Sequence, residues 1–257
     1  MPPSTPIPDA AAREAADLDV LLAAAVHRAG TLPAARPVLG IVRGWTRHDR
    51  ERARLLCAGL AEQGVRSIEL SPVAEAGERD GRGRGVRRPT ADPLRRPRAD
   101  LLVHAGGSQP EQAMRAAALW GLPLLVDRPA GRPDGEPDAS GAHRGPVVGL
   151  HFGDGGFGVA VRDAVLVSTQ PHPGDVRLLL DNEKITAPGD RPLRITLTGQ
   201  GLLEARGDSF GLRRVRRLRF ERAWGEYRLE VDGMPSRDVR APLRIEALPG
   251  RLRLLYP

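Results

Sequence analysis

The chain has 257 residues, 40% of them hydrophobic and 4% aromatic, with a net charge of +7 and a pI near 10.8. That length supports one large or two small domains with a core of Leu, Val and Ala. A single cysteine, Cys57, excludes an internal disulfide and a Cys-based zinc site, and no apolar run reaches the roughly 20 residues of a membrane helix.

Lys184 is the only lysine, so the positive charge is almost entirely Arg. In a chain this rich in Ala, Gly and Pro, part of that basicity reflects codon usage. The remainder favours acidic partners, such as phosphates or anionic lipid surfaces. The N-terminus carries Asp9 and Glu14 where a signal peptide would be basic, so the expectation is a soluble, cytoplasmic protein.

Residues 1–8 are Pro-rich, and Asp9–Arg28 reads as an Ala- and Leu-rich helix ending before Gly30. Pro37–Val42 is a buried strand. Thr46 caps a helix over Arg47–Gln63 with Ala53, Leu56, Cys57 and Leu60 on its inner face, and Gly64 stops it. Cys57 therefore reads as an inert buried thiol. Val65–Leu70 is the next strand. Segment 77–98 places eight arginines, from Arg79 to Arg98, among glycines and prolines. It reads as a solvated insertion, with a basic arm for an anionic membrane or nucleic acid as the alternative. No aromatic is interleaved, which disfavours a single-stranded nucleic acid.

Leu101–His104 is a strand buried on both faces, followed by Gly106-Gly107, a helix of about three turns ending at Gly121, and the strand Leu124–Val126. Strand, tight turn, helix, strand is a βαβ unit, and the turn after its first strand faces a ligand crevice. Two such units predict a parallel, doubly wound sheet. Segment 128–145 reads as a boundary. Beyond it, runs at Val147–Phe152, Val159–Ser168, Val176–Leu180, Leu193–Thr198, Val215–Phe220, Tyr227–Val231, Leu243–Ala247 and Leu252–Tyr256 predict an all-β sandwich or part-barrel. The expected fold is α/β: an N-terminal Rossmann-like parallel sheet over residues 37–130 and a C-terminal β-sandwich over residues 146–257. A tail and helix (1–36) precede them and a linker (131–145) joins them.

The stretch Ala99–Asp127 resembles the nucleotide-binding half of the diacylglycerol kinase and sphingosine kinase family, which is related to NAD kinases. There the first strand ends in Gly-Gly-Asp-Gly-Thr; here the place reads Gly106-Gly107-Ser108-Gln109-Pro110. The closing residues are similar too. Leu229-Glu230-Val231-Asp232-Gly233-Met234-Pro235, and then the strand carrying Leu248-Pro249-Gly250 and ending at Pro257, resemble the last strands of lipid kinases. The resemblance implies ATP with Mg as cofactor, with Gly106, Gly107 and Ser108 as nucleotide-binding positions. It also implies a catalytic base at the position of Met234.

Several of those positions have changed. Pro110 has no N–H for a phosphate. Ser108-Gln109-Pro110-Glu111 is a Ser-x-x-Glu capping box, whose carboxylate satisfies the helix dipole in place of an anion. Met234 cannot accept a proton, and Asp232 reads as a turn residue. Arg43-Gly44 and Asp127-Arg128-Pro129 stand where the family has Asn-Pro and Gly-Thr-Gly-Asn segments.

The expected function is therefore a catalytically degenerate lipid-kinase-like protein, with ATP and Mg lost, that binds a nucleotide or an anionic lipid in the interdomain cleft. Two alternatives stand beside it. One is an active lipid kinase recruiting Asp154, Asp208 or Glu204; the other is a membrane- or nucleic-acid-binding module acting through segment 79–98. Peripheral membrane contact and a homodimer stay open, and nucleic acid is disfavoured as a partner. Gly153–Val159 reads as a hairpin turn, not a dinucleotide fingerprint, because strand follows it. His143, His151 and His172 lack metal-ligand spacing. The arginines around Val215, Leu218 and Phe220 read as a solvent-facing stripe.

Overall fold

The computed structural model describes residues 10–44, 46–71, 96–106, 110–126, 141–170, 173–222, 226–239 and 242–257. Residues 79–95 of the Arg-rich segment, Gly107, Ser108 and Gln109, most of the expected linker, and His172 lie outside the described residues.

Four strands, β1 (Val38–Val42), β2 (Arg66–Leu70), β3 (Leu101–His104) and β4 (Leu124–Leu125), form a parallel array in the order β2-β1-β3-β4. Helices α1 (Ala10–Thr31) and α2 (Arg47–Glu62) bury Leu21, Ala25, Leu56 and Leu60 against Leu39, Ile41, Leu101 and Val103 on one face. Helix α3 (Pro110–Trp120) packs Ala113, Ala117 and Trp120 against Leu102 and Leu124 on the other. The alternation follows from the period of two along a strand, which sends Leu101 and Leu102 to opposite layers. The doubly wound half is thus as the sequence predicts, with α1 running three residues past its expected end at Arg28.

Among the described residues the second half contains twelve strands. These are β5 (His143–Phe152), β6 (Phe157–Ala160), β7 (Asp163–Ser168), β8 (Val176–Leu180), β9 (Glu183–Ala187), β10 (Leu193–Leu197), β11 (Leu203–Gly207), β12 (Gly211–Val215), β13 (Arg217–Arg222), β14 (Tyr227–Val231), β15 (Met234–Val239) and β16 (Leu243–Leu255). A six-stranded sheet, β12-β11-β10-β7-β14-β15, packs on strands β5, β6, β8, β9, β13 and β16. Leu150, Leu178, Leu218, Phe220 and Ile245 meet Leu166, Ile195, Leu229 and Val231 between them. This is the expected sandwich.

The run expected as one strand over Val159–Ser168 is broken into β6 and β7 at Val161-Arg162. The two runs expected at the C-terminus are instead one strand. Its register shifts between Leu248 and Leu252, where Gly250 has φ +64°. That irregularity lets β16 leave the sandwich and pair in parallel with β4 through Leu254 and Leu255. Arg251, at the shift, donates from Nε to the Ala118 carbonyl at 2.9 Å, satisfying an acceptor at the C-terminal end of α3.

Candidate functional site

The crossover from β1 runs to β2 and the crossover from β3 runs to β4, in opposite directions along the sheet. In open α/β sheets a ligand crevice is expected where two such connections diverge, outside the carboxyl ends of the strands, here β1 and β3. The residues that follow those ends are Arg43-Gly44 and, with His104 closing β3, Ala105-Gly106. Gly106 has φ +83°, a left-handed backbone suited to glycine. Of the nucleotide-binding positions expected from the sequence, Gly106 is placed at this crevice; Gly107 and Ser108 fall outside the described residues.

The residue that dominates the crevice is Arg52, which sequence reasoning missed. It is 8% exposed, on the inner face of α2 with Asp49, Ala53, Leu56 and Leu60. Its Nε donates to the Ala105 carbonyl at 2.9 Å and its Nη1 to Glu14 of α1 at 2.9 Å. A Cβ on Gly106 would stand 2.7 Å from Nη2 of Arg52. The signal was present: 49, 52, 53, 56 and 60 form one helical stripe, so Arg52 is a cation in the apolar row.

The N-terminus of α2 is already filled. Thr46 accepts from the Asp49 N–H at 3.0 Å, and the Asp49 carboxylate accepts from the Thr46 N–H at 3.0 Å, a complete capping box. The same carboxylate occupies the space a Cβ on Gly44 would need. Arg43 is ion-paired with Glu69, and its Nη2 donates to Ser71 at 3.3 Å. Glu14 also pairs with His48, and the Arg52 and His48 contacts hold its carboxyl below the usual range.

His104, at the end of β3, is 4% exposed. Burial pushes its imidazole below the ordinary value, against a smaller opposing pull from Asp49. It therefore folds neutral. The unfolded chain binds a proton near pH 6.5 more readily than the native one does. Stability is then full above about pH 6.5 and falls as pH drops below it, until the native imidazole also protonates. Urea melts between pH 7.5 and 5 should show this loss, and His104→Asn should flatten the dependence in that window. An unchanged slope in the variant would remove His104 as the cause.

The second part of the site is the hairpin between β14 and β15. Asp232 and Gly233 have φ of 52° and 79°, both left-handed, as in a two-residue primed turn. Asp232 is the turn residue expected, but its carboxylate is buried and engaged. Oδ1 accepts from the N–H groups of Val161, Arg162 and Asp163 at 3.1, 2.7 and 3.2 Å. Oδ2 lies 3.6 Å from Nε of Arg115 on α3. Arg162 in turn lies 3.7 Å from Glu111. These contacts hold the β6–β7 corner and the hairpin against α3. Met234, half-buried, begins β15 two residues after Asp232. Through Asp232 and Arg115 the hairpin is tied to α3, and Met234 carries a thioether two residues further on.

The other candidates do not converge on the crevice. Asp154 lies in the β5–β6 hairpin turn, paired with Arg237 at 2.6 Å. That pairing and the Gly156 N–H keep its carboxyl below the usual range. Glu204 pairs with Arg214 at 3.0 Å on β11, three strands from β14, on the order of 14 Å away. Asp208 lies 3.6 Å from Arg191. His151 pairs with Glu246 at 2.7 Å on the sandwich. Cys57 is half-buried, and burial pushes its thiol up. Among the described residues no three His, Cys, Asp or Glu side chains cluster as metal ligands, and no helix is long and apolar enough to cross a membrane.

The nucleotide-binding turn that the resemblance implies, before α3, falls mostly outside the described residues, and what is described beside it is the end of α2. The α2 N-terminus is self-capped, Asp49 fills the space beside Gly44, and Arg43 and Arg52 are each neutralised by a carboxylate.

No known protein-family profile and no curated protein sequence matches the chain. Solved structures do match in fold. Yeast NADH kinase in complex with NADH aligns over 86% of this chain and 84% of its own, at 16% identity and a TM-score of 0.50. An NAD kinase from Archaeoglobus fulgidus in complex with ATP aligns over 83% and 92%, at 14% identity and a TM-score of 0.48. The first of these, with the parallel sheet and the β-sandwich described above, gives the chain the two-domain α/β fold of the NADH kinases.

Proposed function

We propose that the protein is a lipid-kinase-like protein that no longer transfers phosphate, and that its crevice serves binding, of an anionic lipid in preference to a Mg-nucleotide. One observation carries the reading. At the hairpin where the resembled family needs a base, Asp232 is consumed by three backbone N–H groups and stands beside Arg115, and Met234 offers no proton acceptor. A carboxylate with that many donors is a structural clamp. The α2 N-terminus is self-capped as well, which closes that helix end to a polyphosphate.

A thermal shift with millimolar Mg-ATP and a radiolabelled assay on diacylglycerol and sphingosine test it. The expected result is no shift, where a ligand at about 100 times its dissociation constant would add about 2.7 kcal/mol, and no labelled lipid. Met234→Glu combined with Ser108→Asp, Gln109→Gly and Pro110→Thr should restore measurable transfer. Turnover by the unaltered chain would overturn the proposal and favour an active kinase using other carboxylates.

A further inference from the structure

One face of the sandwich carries an arrangement that sheet energetics disfavours. A single register row crosses six strands: Lys184 on β9, Leu179 on β8, Arg219 on β13, Arg244 on β16, His151 on β5 and Phe157 on β6. Arg219 and Arg244 are direct cross-strand partners. Like charges placed directly opposite each other destabilise a sheet. The neighbours on these strands, Leu218, Phe220, Leu178, Leu243 and Ile245, are buried in the sandwich core, so the row points the other way. Lys184, Arg219 and Arg244 are exposed.

Adjacent positions extend the charge. Arg177 and Arg217 are exposed and alternate to the same face, two residues from Leu179 and Arg219. Among the described residues the carboxylates beside it are Asp181, two residues beyond Leu179, Glu221 and Glu246. Asp181 accepts from the Arg216 and Arg217 N–H groups, and Glu246, the register partner of Arg217, is engaged by His151 at 2.7 Å and Arg244 at 3.3 Å. Five cations against three carboxylates leave an excess over a face about 19 Å wide from β9 to β5. Helix α3 covers the end of this face at Val147 and Val159, and leaves β8, β9 and β13 open.

We infer that this face, β9-β8-β13-β16, docks on an anionic membrane surface. The cations of neighbouring strands stand side by side on one sheet face, about 4.8 Å apart per strand, where a layer of anionic headgroups can meet several of them at once. The face offers neither a helix nor a projecting ribbon to enter a nucleic-acid groove. Among the described residues the aromatic side chain in this row, Phe157 on the neighbouring β6, is packed against His151 at 5.0 Å, which disfavours base stacking. Phosphate or carboxylate headgroups over the Arg219–Arg244 pair would turn the cross-strand repulsion into attraction. The face is separate from the crevice, so its role stands or falls independently of any ligand bound there.

Co-sedimentation of the full chain with phosphatidylcholine vesicles, with and without phosphatidylserine, tests it in the absence of nucleotide. Binding is expected to the anionic vesicles alone, and to weaken as salt shortens the screening length. Arg219→Glu with Arg244→Glu should weaken it roughly tenfold or more. Arg219→Gln with Arg244→Gln, which adds no new charge, should weaken it less but measurably. Failure of the unaltered protein to bind anionic vesicles would overturn the inference. So would unchanged affinity in both variants, which would move the binding to other arginines such as segment 79–98. Binding of duplex nucleic acid through Arg219 and Arg244, with vesicles ignored, would overturn it in favour of that partner. The Mg-ATP thermal shift reports on the crevice and is indifferent to these substitutions.

Discussion

Asp232→Ala should lower stability by about 3–5 kcal/mol, because it takes the acceptor from several buried donors at once and removes the carboxylate that faces Arg115. The carboxylate is 1% exposed, accepts from three successive backbone N–H groups, and faces Arg115, itself 11% exposed. Alanine would leave those N–H groups without their acceptor. It would also have to adopt φ of 52° without a side chain able to bond locally. Asp232→Asn keeps an acceptor oxygen and tolerates the left-handed backbone, so it should lose about half as much. Urea melts with an unchanged slope would report the difference as stability. Equal, small effects for both variants would show that the β6–β7 corner is held by other contacts. The break between β6 and β7 follows from the same clamp, since Asp232 takes the N–H groups of Val161 and Arg162 that a continuous strand would have used.

Arg52→Ala should cost about 2–4 kcal/mol, by removing a buried side chain and the donor to the Ala105 carbonyl. Its partner change is Gly106→Ala. In the unaltered protein that substitution brings a Cβ to 2.7 Å from Nη2 of Arg52 and imposes φ of 83° on a non-glycine residue. The two should therefore be non-additive. Gly106→Ala should cost less in the Arg52→Ala background, by an interaction term on the order of 1 kcal/mol, while the backbone component remains. Strict additivity in denaturant melts would mean that Arg52 moves aside freely and that the crevice is not built around it. Glu14→Gln gives the complementary control. It leaves Arg52 hydrogen-bonded to Ala105, and should have a small effect because Glu14 is 39% exposed.

Much of the architecture was legible because it depends on local periodicity. The stripe 53, 56, 57, 60 placed α2, the two-sided apolar run 101–103 placed β3 at the centre of a parallel sheet, and Thr46 was readable as a cap. The strands that escaped were mostly the polar ones at the edges. β9, β12 and β15 each end a sheet, and each carries charged residues or a proline that an edge tolerates. The fusion of two C-terminal runs into β16 was hidden by Pro249-Gly250, which reads as a turn and acts as a register shift inside one strand.

By itself the sequence determined the chain's α/β class and the order of its parallel units, because each is set by residue type and short-range spacing. Tertiary structure alone decided what the charged residues do. Asp232 becomes a clamp through N–H groups about 70 positions away in the chain, Arg52 reaches β3 from α2 and α1 through Ala105 and Glu14, and Arg219 meets Arg244 across two strands. Charges act through distance in space, and a sequence records distance along the chain.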